Sequence, residues 1–475
     1  MNDSPIYEDL LAKLNVLKKA QLAEGIPTAE VRKERLQRCI NLLVENQHDL
    51  AEALNQDYGG RSPNLTRMSE VMQTIGHFKD AQKRLVKWMK PERRSAPVPM
   101  GLFGAKAQLR YQPKGVIGIM SPWNFPIAMI FNPLCNALAA GNRAMIKPSE
   151  FNPKTAALLE TLFAKYFASD EVLLVNGGAE VGSAFASLPL GHILFTGAGS
   201  IGRKVMEAAS KNLTPVTLEL GGKSPVIVGE SADINEVAAR ITTGKGNNAG
   251  QVCLSPDYVF VPRQKVEAFI DQARQTFREQ YPTVIGNPDY NSMINDRHYQ
   301  RIAAYINEAT SSGTRVENLG NDSMQAGDNR IPIHLIIDAP EESAISQEEI
   351  FGPIMIIRPY DQLSECTQYI NERPSPLGLY YFGKDKAEQQ WVLDNTLSGG
   401  VTINEVIMHV ACTDLPFGGV GASGMGNYHG HEGFKTFSHA RGVFTEGKIN
   451  LAKLAGTLPP YGDKVKKMLD GQIKK

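Results

Sequence analysis

Phe195-Thr196-Gly197-Ala198-Gly199-Ser200-Ile201-Gly202 carries three closely spaced glycines. It follows an apolar run at 192–195 that reads as a buried strand, and a helical pattern begins at Arg203. Gly197, Gly199 and Gly202 spell the G-x-G-x-x-G turn that joins strand to helix in dinucleotide-binding units. Such a turn presents a helix N-terminus, with free N–H groups and a positive dipole end, to a pyrophosphate. A plain strand-to-helix turn is the competing reading, and the strand–turn–helix setting favours binding.

The same alternation extends outward from that turn. Strands are expected at 116–120, 143–146 and 172–175, with helices at 153–167 and 181–187 between or after them. Strand and helix in alternation predict βαβ units and a parallel sheet. A second series begins after residue 220, with strands at 226–228, 258–261, 333–337 and 355–359 and helices at 234–243 and 265–280. Residues 5–55 and 65–90 carry three- to four-residue apolar spacing and predict helix, broken at Tyr58-Gly59-Gly60-Arg61-Ser62-Pro63. The basic run from Lys83 to Arg94 is a solvated helix face rather than a nucleic-acid site. Residues 93–114 interrupt the main body as an excursion with an exposed strand at 107–112, expected to pair with 436–448.

Composition narrows the class. The chain has 475 residues, 42% hydrophobic and 21% charged, which excludes a disordered or low-complexity protein. Lys+Arg and Asp+Glu are both 50, so no global field draws in nucleic acid or an anionic membrane. No signal peptide is expected at 1–10, and no apolar run is long enough to span a membrane. The five cysteines, Cys39, Cys135, Cys253, Cys366 and Cys412, form no CxxC or Cys/His cluster, so no metal site or disulfide framework is expected. Reduced thiols in the cytoplasm are the reading, with Cys253 a candidate nucleophile and the other four inert and buried.

Further segments could carry chemistry. Pro122-Trp123-Asn124-Phe125-Pro126 follows a strand, and its prolines stiffen a turn that displays Asn124, whose amide can donate to an oxyanion. Lys147-Pro148-Ser149-Glu150 also follows a strand. Lys147 and Glu150 could hydrogen-bond a ribose, or Ser149 or Asn152 could simply cap the next helix. In Leu218-Glu219-Leu220-Gly221-Gly222-Lys223 the carboxyl of Glu219 lies in a buried strand, which raises its pKa and suits a general base; a structural pairing with Lys223 is the alternative. Cys253 follows Asn247-Asn248-Ala249-Gly250, a loop or helix start expected to lower a thiol pKa. Glu348-Glu349-Ile350-Phe351-Gly352-Pro353 and Pro416-Phe417-Gly418-Gly419-Val420-Gly421-Ala422-Ser423-Gly424 name no chemistry by themselves.

Taken together and in this order, these segments, covering about residues 110–430, resemble the aldehyde dehydrogenase superfamily. The resemblance implies that Cys253 attacks an aldehyde and that Asn124, with the Cys253 N–H, holds the oxyanion. Hydride transfer to a nicotinamide then leaves a thioester that Glu219-activated water hydrolyses. It further implies that Lys147 and Glu150 contact the adenosine ribose, that Gly197, Gly202 and Leu220 shape the nucleotide turn, and that Glu349 and Phe351 hold the nicotinamide ribose. Ala198 departs from the family, which usually has a polar residue there, and Gly199 is then incidental.

The short N-terminal region and Leu458-Pro459-Pro460-Tyr461 are similar to the branch that takes aromatic and longer aliphatic aldehydes, most of all to coniferyl aldehyde dehydrogenases. That branch forms homodimers and accepts NAD and NADP; Glu150 argues for NAD. The implied architecture is α/β. It comprises a Rossmann-like NAD-binding domain (1–92 and 115–220), a catalytic domain (221–415), a small β oligomerisation arm (93–114 and 436–450) and a tail (451–475). His409 and Thr413 are expected near the channel entrance. A CoA-acylating enzyme and a catalytically silent NAD-binding protein are the alternatives, and the presence of Glu219, Cys253 and Asn124 counts against them.

Overall fold

In a computed structural model that describes residues 4–325 and 327–473, the strands around the turn at 195–202 form a six-stranded sheet. Its order is Gly424–Met425, Val216–Glu219, His192–Thr196, Val116–Met120, Arg143–Lys147, Val172–Leu174. All neighbours are parallel except Gly424–Met425, which runs antiparallel to Val216–Glu219. Val116–Met120 and Arg143–Lys147 are buried along their whole length, as parallel strands covered on both faces must be.

The second strand series makes a separate seven-stranded sheet. Its order is Arg315–Asn318, His334–Ile337, Ile354–Tyr360, Pro256–Pro262, Ser224–Val228, Gly378–Phe382, Gly400–Ile403. Only the Arg315–Asn318 edge is antiparallel. The excursion forms a third, three-stranded antiparallel sheet from Glu92–Arg94, Lys106–Pro113 and Ser438–Thr445. The expected pairing therefore holds over the whole strand, from Ser438 against Pro113 to Thr445 against Lys106. This sheet is largely exposed.

Several expectations need correction. The helical region at 5–55 is three helices, Pro5–Glu24, Ala29–Glu45 and Gln47–Tyr58; Gly25, at φ 73°, ends the first, and the Thr28 hydroxyl caps the second. The region at 65–90 is Pro63–Thr66, a π-helical turn Arg67–Met72, and Gln73–Trp88. Neither Ser149 nor Asn152 caps the helix Pro153–Tyr166 through its side chain. The Asp57 carboxylate does so, accepting from Lys154 N at 2.8 Å and Thr155 N at 2.9 Å. A cap brought from another helix leaves no local signature. Among the described residues no helix is long and apolar enough to cross a membrane. The readings of residues 1–10 and of the tail to 475 include residues 1–3 and 474–475, which lie outside the described residues.

One buried ion pair sets the position of the loop after Val116–Met120. Arg61, fully buried, donates through Nη2 to Glu70 Oε1 at 2.6 Å and through Nη1 to the Asn124 carbonyl at 2.6 Å. The other Glu70 oxygen accepts from Ile127 N at 2.8 Å and Ala128 N at 3.3 Å, in the first turn of the helix Pro126–Ala139. Two orphan helix N–H groups are thus satisfied by a charge at the positive dipole end. Arg61→Met leaves Glu70 buried without its counter-charge. It is expected to cost about 3–5 kcal/mol, read as a lower urea midpoint.

Candidate active site

The carboxyl ends of the six-stranded sheet open into a cavity of about 1430 Å³. Its lining includes Asn124, Lys147, Glu150, Gly197, Glu219, Leu220, Cys253, Glu349 and Phe351, so the predicted site residues converge although they come from distant segments. Gly202 alone lies behind the wall: a Cβ there would meet Leu220 Cδ2 at 2.8 Å. A Cβ on Gly197 would meet the Phe195 ring at 2.7 Å, whereas one on Gly199 meets nothing nearer than 4.0 Å. The outer two positions are therefore crowded by the ends of the Phe195 and Leu220 side chains, and the middle one is open.

At the end of the strand Arg143–Lys147, Lys147 Nζ is nearly buried and donates to the Pro148 carbonyl at 2.9 Å and to Glu150 Oε2 at 3.2 Å. The Thr196 hydroxyl is buried without a partner, just before the helix Gly199–Ser210. An unsatisfied hydroxyl, a helix N-terminus and open space above Gly199 fit a pyrophosphate. Deeper in the cavity the Glu349 carboxyl rests on the Gly221-Gly222 backbone and accepts from Gly222 N–H; a Cβ on Gly221 would overlap it. Burial raises its pKa to about 7. These residues fit a nicotinamide nucleotide.

Cys253 is delivered by a strained turn. Asn248 and Ala249 both have φ of 50° and Gly250 has 72°, three successive left-handed residues. A Cβ on Gly250 would lie 2.3 Å from the Gly352 carbonyl, so this turn is pressed against the segment carrying Glu349 and Phe351. Side-chain amides hold the strain. Asn248 Nδ2 donates to the Asn124 and Gln251 carbonyls at 3.3 and 3.1 Å, and Asn291 Nδ2 donates to Asn248 Oδ1 at 2.8 Å. Gln251 Nε2 donates to the Asn248 and Ser292 carbonyls at 3.0 and 3.1 Å. Asn124 Nδ2 reaches the Gln251 carbonyl at 3.2 Å, which occupies one of its two N–H donors.

The expected lowering of the Cys253 pKa is not found. Burial, followed by the Glu349 and Glu219 carboxylates, pushes the thiol up to about 12. The turn that precedes it is a kinked 3-10 segment rather than a helix aimed at sulfur. Glu219 is buried with neither oxygen hydrogen-bonded, and desolvation holds its pKa far above the usual carboxylate range. Its pairing with Lys223 is excluded, because Lys223 Nζ binds Asp257 and the carbonyls of Ile345 and Glu348 at 2.8 Å. Lys223 thereby ties the 218–223 segment to the 348–353 segment.

Other expectations fail. His409 is buried, with Nδ1 2.8 Å from Thr402 Oγ1, and is not part of the cavity lining, so it does not mark an entrance; its neighbours Met408 and Val410 do line the cavity. Cys412 is exposed rather than buried, while Cys39, Cys135 and Cys366 are buried as expected. Sequence reading also missed Tyr58, Arg61, Glu70, Asn248 and Gln251, which position Asn124 and Cys253. An arginine in a Gly-Gly-Arg-Ser-Pro break reads as a solvated turn. Missed too is Lys245, buried, donating to the Pro256 carbonyl at 2.8 Å, its pKa lowered to about 7 by desolvation.

The family model described as "Aldehyde dehydrogenase family" matches residues 16–443. The chain is 50% identical over 462 residues to a probable coniferyl aldehyde dehydrogenase of Caulobacter vibrioides, covering 96% of this chain and 95% of that one. It is 43% identical over 473 residues to a coniferyl aldehyde dehydrogenase of Pseudomonas sp., covering 99% and 97%. A solved structure described as the substrate-bound state of Staphylococcus aureus AldH is 36% identical and matches with a TM-score of 0.91, covering 97% of this chain and 99% of that one.

A thiol held near 12 reacts slowly at neutral pH, because only the thiolate is nucleophilic. Alkylation of Cys253 by iodoacetamide in the free protein, followed by peptide mass spectrometry, is expected to rise about tenfold per pH unit between about pH 7 and 9. A plateau below pH 8 would contradict the raised pKa.

Proposed function

This chain belongs to the aldehyde dehydrogenase family and is an NAD(P)-dependent aldehyde oxidoreductase, and we propose that it oxidises coniferyl-type and other hydrophobic aromatic aldehydes to their acids through a thioester on Cys253. The observation that carries the catalytic part is the placing of an Asn amide, a thiol and an unpaired buried carboxyl around one cavity. The substrate class is supported by the names of the most similar relatives and by aromatic and aliphatic walls that include Trp123, Phe125, Ile407, Val410 and Phe417.

In this reading Cys253 Sγ loses its proton and bonds to the aldehyde carbon. The carbonyl oxygen becomes an oxyanion that takes hydrogen bonds from the free N–H of Asn124 Nδ2 and from the Cys253 backbone. Nicotinamide, when bound, supplies the acceptor for the hydride that leaves the substrate carbon. As the C=O bond re-forms, the substrate remains on sulfur as a thioester. Glu219, once ionised, is a strong base because desolvation disfavours its charge, and it takes the proton of the attacking water. The C–S bond then breaks, and Cys253 leaves as thiolate with release of the acid. Lys147 and Glu150 would hold the adenosine ribose and Glu349 the nicotinamide ribose, with Phe351 packing beside it.

NAD is the preferred cofactor in this reading, since the Glu150 carboxylate stands where it would repel a 2′-phosphate, and NADP is accepted more weakly. The six-stranded sheet with residues 1–92 and 115–220 serves the nucleotide, and residues 221–415 deliver the nucleophile. The exposed three-stranded sheet (93–114 and 436–450) covers a second copy in a homodimer, which a monomer in sedimentation velocity would contradict. A reducing, cytoplasmic setting suits the free thiol of Cys253.

Cys253→Ala is expected to abolish NADH formation while nucleotide binding survives; unchanged turnover would falsify the nucleophile. Glu219→Gln is expected to give a burst of NADH with little steady turnover, and the absence of both burst and defect would remove Glu219 from the mechanism. The substrate class is tested by kcat/KM for coniferaldehyde, benzaldehyde, octanal and acetaldehyde with NAD and NADP. The highest value is expected for coniferaldehyde with NAD, and a preference for acetaldehyde overturns the aromatic reading.

A further inference from the structure

The loop that carries Glu349 and Phe351 lies between the short helix Ala344–Gln347 and the strand Ile354–Tyr360. Phe351 has φ of 46°, in the left-handed region that a residue with a Cβ enters at a cost. A residue held there persists only where its surroundings over-determine it. Gly352, next to it, packs closely on the helix Asp296–Ser311: a Cβ there would overlap the Ile302 side chain. The loop also faces the oxyanion turn. The Phe351 ring meets the Trp123 ring edge-on at 5.3 Å and 73°, and Trp123 directly precedes Asn124.

Side chains from other elements hold this conformation through the loop backbone. Lys223 Nζ, paired with Asp257, donates to the Glu348 carbonyl at 2.8 Å. The other Asp257 oxygen accepts from Ile350 N at 2.9 Å. Arg301, on the helix Asp296–Ser311, grips the carbonyls on either side of Ile350: Nη1 donates to that of Glu349 at 3.4 Å and Nη2 to that of Phe351 at 3.3 Å. Tyr305, one turn along the same helix, donates to Glu348 Oε2 at 2.5 Å, and its ring centroid lies 5.5 Å from the Arg301 guanidinium carbon. Arg301 is half-buried and lines the cavity, unlike Lys223 and Asp257. Its planar fork suits two separate carbonyls, which the single ammonium of a lysine does not.

We infer that Arg301 is a positioning residue for hydride transfer: by holding the Glu349 and Phe351 carbonyls it fixes the loop in the conformation that turns both side chains toward the nicotinamide nucleoside. This rests on the reading of Glu349 and Phe351 given above and adds the group that keeps them in place. Among the described residues Arg301 makes no hydrogen bond to Cys253, Asn124 or Glu219. Its loss therefore falls on the alignment of the hydride acceptor and spares the acylation and hydrolysis carried out at Cys253. A misplacement of about 1 Å in a group that orients a reactant can cost about a hundredfold in rate.

The test compares two reactions of the same enzyme. NADH formation from an aromatic aldehyde includes hydride transfer, whereas hydrolysis of 4-nitrophenyl acetate without nucleotide acylates and deacylates Cys253 with no hydride step. Arg301→Leu is expected to lower kcat for NADH formation about tenfold to a hundredfold and to leave ester hydrolysis as in the wild type. Calorimetric titration of the same variant is expected to show weaker binding of NAD and unchanged binding of ADP, which lacks the nicotinamide nucleoside. Equal losses in the two reactions, or no loss in either, overturn the inference, and so does equal weakening of NAD and ADP. Arg301→Lys keeps the charge but reaches one carbonyl, and its kcat is expected to fall between those of Arg301→Leu and the wild type. Should Arg301→Leu fold poorly, Arg301→Lys carries the same comparison with the same overturning outcomes. Ester hydrolysis at the wild-type rate in Cys253→Ala overturns instead the thioester reading on which the inference rests.

Discussion

The active-site geometry depends on a charge that cannot move. Arg61 and Glu70 are both fully buried, and each is useful only where the other is. Removing either charge from water is costly, so the pair is held in one arrangement, in which each Arg61 nitrogen and both Glu70 oxygens have a hydrogen-bond partner. That arrangement grips the Asn124 carbonyl from one side and the first turn of Pro126–Ala139 from the other. The guanidinium also lies over the Tyr58 and Phe125 rings at 4.8 and 5.1 Å. The loop that displays the Asn124 amide is therefore anchored through its backbone, and its side chain is left to serve the cavity.

The same carbonyl couples this anchor to the nucleophile. It accepts from Asn248, which belongs to the left-handed turn before Cys253. Non-glycine residues held at positive φ cost of order 1–3 kcal/mol each, and they persist only where their surroundings dictate them. Here the amides of Asn291, Gln251 and Asn248 provide that constraint, and the close approach of Gly250 to Gly352 links the turn to the Glu349 segment. Cys253, Asn124 and the Glu349 carboxyl thus belong to one connected body.

Dryness is the other constraint. Burial raises the pKa of Glu219, and desolvation raises those of Cys253 and Glu349 as well. In the free protein ionisation of Glu219, Cys253 and Glu349 is consequently disfavoured, least so for Glu349, whose pKa rises only to about 7. A desolvated carboxyl is a stronger base when it does ionise, and this suits hydrolysis of a thioester better than a solvated one would.

Much of this was legible in order along the chain. The strand–turn–helix around Gly197 and Gly202 and the buried position of Glu219 follow from apolar periodicity and glycine placement, which are local properties, whereas the pairing of the excursion at 93–114 with 436–448 came with the family resemblance. A Cβ at Gly202 would press on the end of the Leu220 side chain, which agrees with a close turn there. What escaped the sequence were properties made by distant partners. The Asp57 cap on Pro153–Tyr166 and the grip of Arg61 and Glu70 on the segment 124–128 each join segments far apart in the chain. The direction of the Cys253 shift was misread because a loop–helix boundary suggests a positive field, while the sign was decided by burial and by two carboxylates from elsewhere. The order of side-chain types and the hydrophobic period along the chain were enough to bring the candidate residues to one cavity and to place the strands beneath it, since both are written residue by residue. Only the tertiary structure decided how those groups are held, how readily they give up protons and which polar atoms are left for a substrate, because hydrogen bonding and desolvation depend on what the rest of the chain places around each atom.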